Sequence, residues 1–519
     1  MPTPKSVPAS ALTPPVVSSG VADRIALFGL GVLALGNPLG AFLHNLGLGL
    51  LILAFAAQPA AWRWVLDRRE TWLAIVLALH VLLVTAWAAG QWPDTSDLQW
   101  KAAGAWLKLL LFLPVAWLLV GKPERIRLSG FLFVGGVLLS GIAALGKAAY
   151  LGLPVPGRFG GLLDKPISYA FYALVRLTVL GTHGRELLGR ARRRGWPVSV
   201  ATGLSLAGAA TFLLWAVVAS GSRGPIVALL SACVAYFVAW QRWMPAAQRF
   251  GAREAVYAAV ALALLLTFAH QETRLLAARF TEAPQLSFLG AGPPLGPEAN
   301  TVNMRYSMWQ FAWQHIQERP LAGWGPGTLE TIERSDGDPR LLIDGKPWDH
   351  LHNAYLQMLF NFGVVGSLLF AAIALSLLSG VWWACRAGSI DPHWLVGVSA
   401  GAVALAVYSI TDFRHLNFDW RGFWTLTAGA VLALGASTGK DGTAGARSGS
   451  LRFRLPSRRR ARREGPQERG RGPWTIIPCC RAFWGRSVTS SPSGPSSPPG
   501  SSTSPTTWAR SPCRSSPGW

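Results

Sequence analysis

At 519 residues the chain is 51% hydrophobic and only 14% charged, with a mean hydropathy of +0.31. Soluble proteins carry roughly a quarter charged residues, so the composition excludes an ordinary soluble domain. The net charge of +23 does not mark a nucleic-acid binder: from Lys440 onward fifteen Lys/Arg face three acids, giving +12, and most of the rest lies in short loops between apolar runs.

In chain order, residues 1–20 are Pro/Ser-rich with one lysine, Lys5, and show no cleavable signal pattern. They read as a disordered N-terminus, with the first helix as the targeting signal. Residues 21–437 read as a polytopic, all-α membrane domain. A hydrocarbon core about 30 Å thick needs roughly 20 apolar residues per helix. The apolar runs predict twelve spans, near 25–37, 41–61, 71–89, 102–120, 128–149, 167–183, 196–219, 224–240, 254–270, 363–385, 393–411 and 420–437. The first is short and ends sharply at Gly36-Asn37-Pro38. Arg176, inside the sixth, is expected to snorkel toward the cytoplasm.

Short loops after even-numbered spans hold fifteen Lys/Arg, and those after odd-numbered spans hold six. The positive-inside rule then puts both termini in the cytoplasm. The long loop 271–354, between spans nine and ten, falls on the periplasmic side and is long enough to be a functional element. Within it, Met304 to Trp313 has helical spacing and predicts a helix along the membrane surface, and Gly323-Trp324-Gly325-Pro326-Gly327 predicts a turn. From 438 the tail is basic and Pro/Ser-rich and reads as disordered. Of the five cysteines, Cys233 and Cys385 lie in or beside apolar runs and Cys479, Cys480 and Cys513 in the tail, so no disulfide framework is implied.

The periplasmic face gathers the groups able to do chemistry. Arg223 sits in the small-residue turn Ser220-Gly221-Ser222-Arg223-Gly224-Pro225, where a guanidinium can fork onto phosphate oxygens or anchor a lipid headgroup. Arg158, in Pro156-Gly157-Arg158-Phe159-Gly160, is a second candidate phosphate contact, and Lys108, about six residues deep in span four, can snorkel or reach a cavity. In Trp348-Asp349-His350-Leu351-His352-Asn353 a neutral imidazole can take a proton from a hydroxyl near neutral pH. His350 and His352 could also start a metal site, but no third ligand stands at informative spacing, and Asp336-Gly337-Asp338 reads as a turn. No metal site is therefore expected. Asp412, Arg414, His415 and Asp419 are further external groups that the sequence does not rank.

Four segments together resemble the O-antigen ligase/polymerase family: Ser222-Arg223-Gly224 after a long helix, Arg305…Trp309…Pro320-Leu321-Ala322-Gly323-Trp324-Gly325-Pro326-Gly327, His352-Asn353-Ala354-Tyr355-Leu356-Gln357 followed by Gly363 and Gly366, and Gly157-Arg158-Phe159-Gly160 before Lys165-Pro166-Ile167. The resemblance covers roughly residues 20–437, and the basic tail, Lys165 and Trp324 depart from the pattern. It implies a lipopolysaccharide O-antigen ligase in the bacterial inner membrane, moving glycan from undecaprenyl pyrophosphate to a sugar hydroxyl of lipid A core. Neither a cofactor nor a metal is implied. Arg223, Arg158 and Lys108 would then hold pyrophosphate, with Arg223 also stabilising the leaving group, and His352, or less directly His350, would be the base. Besides donor and acceptor the partners would be membrane lipids, with no nucleic acid. An O-antigen polymerase or a protein O-oligosaccharyltransferase of the same family fits these motifs too, and a transporter or flippase fits the helix count. A transporter would place its polar site near the midplane on broken helices, whereas this sequence clusters polar groups on one face.

Overall fold

The computed structural model describes residues 20–152, 158–249, 251, 301–336, 342–343, 346–348, 350–415 and 417–439. The predicted span 254–270, the tail, residues 1–19, Gly157, Asp338 and Asp349 lie outside them. The described chain is helical apart from an antiparallel pair of two-residue strands, β1 (Leu342–Ile343) and β2 (Lys346–Pro347). Seven described helical segments are long and apolar enough to cross a bilayer, or up to eight if one bent pair is a single span. The protein is a multi-pass helical membrane protein.

The N-terminal elements are α1 (Val21–Gly36), α2 (Ala41–Ala56), α3 (Pro59–Leu66), α4 (Arg69–Gln91), α5 (Ser96–Leu107), α6 (Phe112–Leu119) and α7 (Pro123–Tyr150). The predicted span 41–61 is not one straight rod. It breaks into α2 and α3, bent by 92°, because Pro59 cannot supply the N–H that would continue α2. α1 is brought against α2 by small residues, and a Cβ on Gly47 would lie 2.5 Å from the Leu33 amide nitrogen. Such close approach is how membrane helices gain van der Waals contact when lipid is as apolar as leucine.

There follow α8 (Pro166–Arg192), α9 (Trp196–Ala219), α10 (Arg223–Trp243), α11 (Thr301–Glu318), α12 (Leu329–Asp336), α13 (Ala354–Arg386), α14 (Pro392–Thr411) and α15 (Phe418–Gly435). The predicted helix at 304–313 is α11. Its Met308, Phe311, Ala312 and Ile316 face inward onto Leu329, Ile332, Trp348, Leu351 and Phe360, a satellite core beside the main bundle. Arg176 on α8 departs from expectation. Its guanidinium does not reach the surface but lies 3.8 Å from the Phe133 ring centroid, with the residue 6% exposed.

α13 is broken at Gly363, where φ is 60° and ψ −165°. A break inside an apolar region strands backbone groups that lipid cannot satisfy. Here the turn after α11 satisfies them. Trp324 N donates to Phe360 O (2.8 Å) and Gly325 N to Asn361 O (2.9 Å), while Val364 N and Val365 N donate to Pro320 O (2.8 Å) and Leu321 O (3.1 Å). His80 Nε2 lies 2.9 Å from the remaining carbonyl, Phe362 O. A Cβ at Gly363 would collide with the Leu321 carbonyl, so glycine serves both the positive φ and the close approach. This clamp ties α11 to the first turns of α13, where the histidine motif begins.

Candidate functional site

Asn353 caps α13, its Oδ1 accepting from Tyr355 N (3.0 Å) and Leu356 N (3.2 Å). Gln357, one turn on, accepts Leu351 N through Oε1 at 2.8 Å, and Trp309 of α11 donates Nε1 to Leu351 O at 2.8 Å. Both neighbours of His352 are thus pinned, and His352 itself sits at φ 49°, an uncommon conformation for a residue with a Cβ. Trp348 stands edge-on to its ring at 5.1 Å and His350 lies 4.2 Å away.

The partner of His352 comes from the end of α14. Its Nδ1 lies 3.3 Å from Asp412 Oδ1. Asp412 is buried, 2% exposed, and accepts further bonds from Phe413 N (2.9 Å), Tyr408 OH (3.0 Å) and Arg414 Nε (2.8 Å). Burial alone would raise this carboxyl, yet the His352 bond and the Arg414 guanidinium outweigh it and hold Asp412 well below the usual carboxylate range. For His352, burial is the largest influence and keeps the imidazole below its ordinary value, with Asp412 offsetting only part of it. With Nδ1–H donating to Asp412, Nε2 of a neutral ring is left to accept a proton.

Cations converge on the same place. Arg305 of α11 donates Nη1 to Thr411 O at 3.1 Å. Burial lowers its pKa; Asp412 opposes that, and Arg414 and Arg223 add to it. Arg223, half-buried at the first position of α10, therefore shares a field with Arg305, Arg414 and Asp412. Gly224 explains the approach, since a Cβ there would strike the Thr411 hydroxyl.

Of the residues singled out in the sequence, the structure brings Arg223, His350 and His352 to one locus. Arg158 stands one step behind: Nε donates to Ser220 O (3.2 Å) and Nη2 to Ser222 Oγ (2.9 Å), so it braces the turn that carries Arg223. Lys108 lies exposed in the 3-10 turn between α5 and α6 and belongs electrostatically with His44, Arg421 and Asp419. The sequence left Asp412 and Arg414 unranked and gave Arg305 no role of its own. Nothing local marks them, because they meet His352 only through the packing of α10, α11 and α14.

His350, His352 and Asp412 each offer a ligand atom, all within 4.8 Å of one another. The third metal-type ligand absent from the sequence spacing is thus supplied by the fold. Both Asp412 oxygens are already engaged by donors, and the Arg414 guanidinium is in direct contact. This donor set fits an oriented imidazole better than a cation.

A multi-pass membrane protein with a polar, cation-rich centre at its helix ends has the setting for chemistry on an anionic, lipid-borne molecule. Residues 208–371 match the family model described as O-antigen ligase, which supports a place for the chain in that family. The match runs from within α9 through α10 and α11 into α13. It includes Arg223, Arg305, His350 and His352, whereas Asp412 and Arg414 fall beyond it. Members of the family are glycosyltransferase-like ligases and polymerases. No curated protein gives a significant match to the chain.

Proposed function

We propose that the protein is an O-antigen ligase that transfers glycan from undecaprenyl pyrophosphate to a sugar hydroxyl of lipid A core at the periplasmic face of the inner membrane. The observation that carries this reading is the His352–Asp412 pair set among Arg223, Arg305 and Arg414. His352 Nε2 takes the acceptor hydroxyl proton as the oxygen attacks the anomeric carbon. Asp412 holds the ring and stabilises the imidazolium that forms, as a buried carboxylate does in other nucleophile–base arrangements. The anomeric carbon–oxygen bond breaks, and the electron pair leaves with the lipid pyrophosphate. Arg223 and Arg305 meet that developing charge, where preorganised donors at low dielectric have most effect. Arg158 acts through the Arg223 turn, and Lys108 is a more distant contact. Cleavage of the donor's glycosyl–pyrophosphate bond drives transfer, so the reaction needs neither metal nor cofactor.

In this reading the membrane domain spans residues 21–437 with twelve helices, and the loop 271–354 faces the periplasm. The test is product formation by purified protein given lipid-linked donor, with lipid A core and with free repeat units as acceptors. Product on lipid A core supports the ligase. Product on repeat units alone would make the chain a polymerase. Orientation is tested by a cysteine placed in 271–354, which should react with an impermeant thiol reagent in spheroplasts, while one at 190–194 reacts only after lysis. The reverse pattern would overturn the site's periplasmic placement.

A further inference from the structure

Away from that site, a cavity of about 560 Å³ runs between α7, α8, α13, α14 and α15. Arg127 and His183 line one end, Arg176 lies partway along, and Tyr355, Ser409 and His415 line the other end. Its length follows from α14, which lines it from Trp394 to Ser409, about 22 Å at 1.5 Å per residue. That exceeds one leaflet's share, about 15 Å, of the hydrocarbon core. Tyr355 and Leu378 in its wall are 42% and 36% exposed, so the cavity reaches the outer surface of the bundle.

The lining is largely apolar, its two permanently charged residues are the arginines, and neither is fully satisfied. Arg176 is buried, with Nε and Nη2 lacking hydrogen-bond partners among the described residues. Phe133 at 3.8 Å and Phe423 at 5.6 Å give it only ring faces. Arg127 shares Glu186 (3.4 Å) with Arg190 (2.6 Å) and lies 5.7 Å from the Trp394 ring, while its buried Nε also has no hydrogen-bond partner among the described residues. A guanidinium removed from water is costly unless an acceptor compensates it, and aromatic faces return only part of that cost. Glu186 cannot serve Arg176 as well, because it is partly exposed and already held by two arginines.

The geometry points to an intramembrane site for an anionic phospholipid, its phosphate diester and ester oxygens on Arg127 and Arg176 and its acyl chains running toward Tyr355, Ser409 and His415. Charge complementarity favours this occupant: guanidinium pairs with phosphate oxygens, and basic pockets between membrane helices take acidic lipid headgroups. The same end of the bundle carries Arg185, Arg190, Arg192, Arg193 and Arg194, which draw acidic lipid to the entrance. A bare hydrocarbon chain would fill the cavity but leave three guanidinium nitrogens without acceptors. The far end gives the lipid a consequence, since His415 stacks on Phe413 at 5.0 Å, beside Asp412.

The inference does not rest on glycan transfer, because its readout is retained lipid. Full-length protein is exchanged into vesicles of phosphatidylglycerol or phosphatidylcholine, re-extracted, and its bound lipid identified by native mass spectrometry. Wild type should retain phosphatidylglycerol and not phosphatidylcholine. The Arg127→Gln/Arg176→Gln double variant should retain about tenfold less or lower, the loss of at least one charge-assisted bond. Arg63→Gln, on α3 and outside the cavity lining, should retain as much as wild type. If the double variant does not accumulate, wild type alone decides, through a higher unfolding temperature in phosphatidylglycerol than in phosphatidylcholine. Equal retention of the two lipids, undiminished retention by the double variant, no difference in unfolding temperature, or recovery of polyprenyl phosphate instead of phospholipid would each overturn the proposal.

Discussion

Asp412 and Asp419 are both buried carboxylates at the same end of the bundle, yet they are built into it differently. Asp412 collects four donors, among them an imidazole and a guanidinium, from the loop before α13 and from its own segment. Asp419 instead accepts Tyr172 OH at 2.8 Å, pairs with Lys165 at 3.5 Å and takes Asn37 Nδ2 on its backbone oxygen at 2.8 Å. Asn37 in turn holds His44 at 2.9 Å. The partners of Asp419 come from the start of α8 and the α1–α2 junction, so it ties helices together. The partners of Asp412 include the one imidazole among them with a neighbouring cluster of arginines. A carboxylate is chemical or architectural here according to what it orients, not how deeply it lies.

The largest expected effect of breaking that contrast is on the cationic side of Asp412. Arg223→Ala should lower transfer by about 10³-fold, the scale of a lost preorganised donor, while the protein still inserts. Arg223→Lys should recover little, because a point charge lacks the guanidinium fork. Full activity of the lysine variant, measured as product per inserted protein, would show that charge alone suffices.

Next comes Asp412→Asn, expected to cost roughly 10²-fold or more through loss of ring orientation and of imidazolium stabilisation. The pH profile separates this from simple damage. The base must be neutral, and burial holds His352 below 6.5, so the wild-type rate is full near neutral pH and falls only as pH drops below that value. Asp412 is what raises the imidazole, so its removal should move the acid limb to still lower pH. An unmoved limb would separate Asp412 from His352.

Asp419→Asn should act on stability, by about 1–3 kcal/mol for a disturbed buried hydrogen-bond partner, with transfer per folded protein within about threefold of wild type. A loss of transfer as large as that of Asp412→Asn, without loss of thermal stability, would erase the distinction. The smallest effect is expected from EDTA: no change in transfer. Loss restored by Mg²⁺ or Mn²⁺ would turn His350, His352 and Asp412 into a metal site.

Much of the frame was legible because apolar periodicity and turn residues act locally. α11, the Gly323–Gly327 turn and the small-residue turn before Arg223 all follow from residues within a few positions of one another, whereas α13 starts at Ala354, ahead of the span expected from 363. What did not show was long-range. Span 41–61 reads as continuous because composition does not register a 92° bend. Gly363 reads as an ordinary membrane glycine until the α11 turn is seen to fill its break. Arg176 reads as snorkelling because nothing near it in sequence announces a cavity. Asp412 is the clearest case, since its meaning comes wholly from an imidazole on the far side of α13 and α14.

The central claim is that His352 acts as base and Arg223 as donor contact. A general base acts mainly in the transition state, whereas a pyrophosphate contact exists already in the ground state. The direct measurement is affinity for the lipid pyrophosphate donor alongside turnover in purified His352→Ala and Arg223→Ala. The account predicts that His352→Ala binds donor as wild type does, with turnover down about 10²–10⁴-fold, and that Arg223→Ala loses both. Equal loss of donor binding in the two variants would contradict the assignment of His352 as the base.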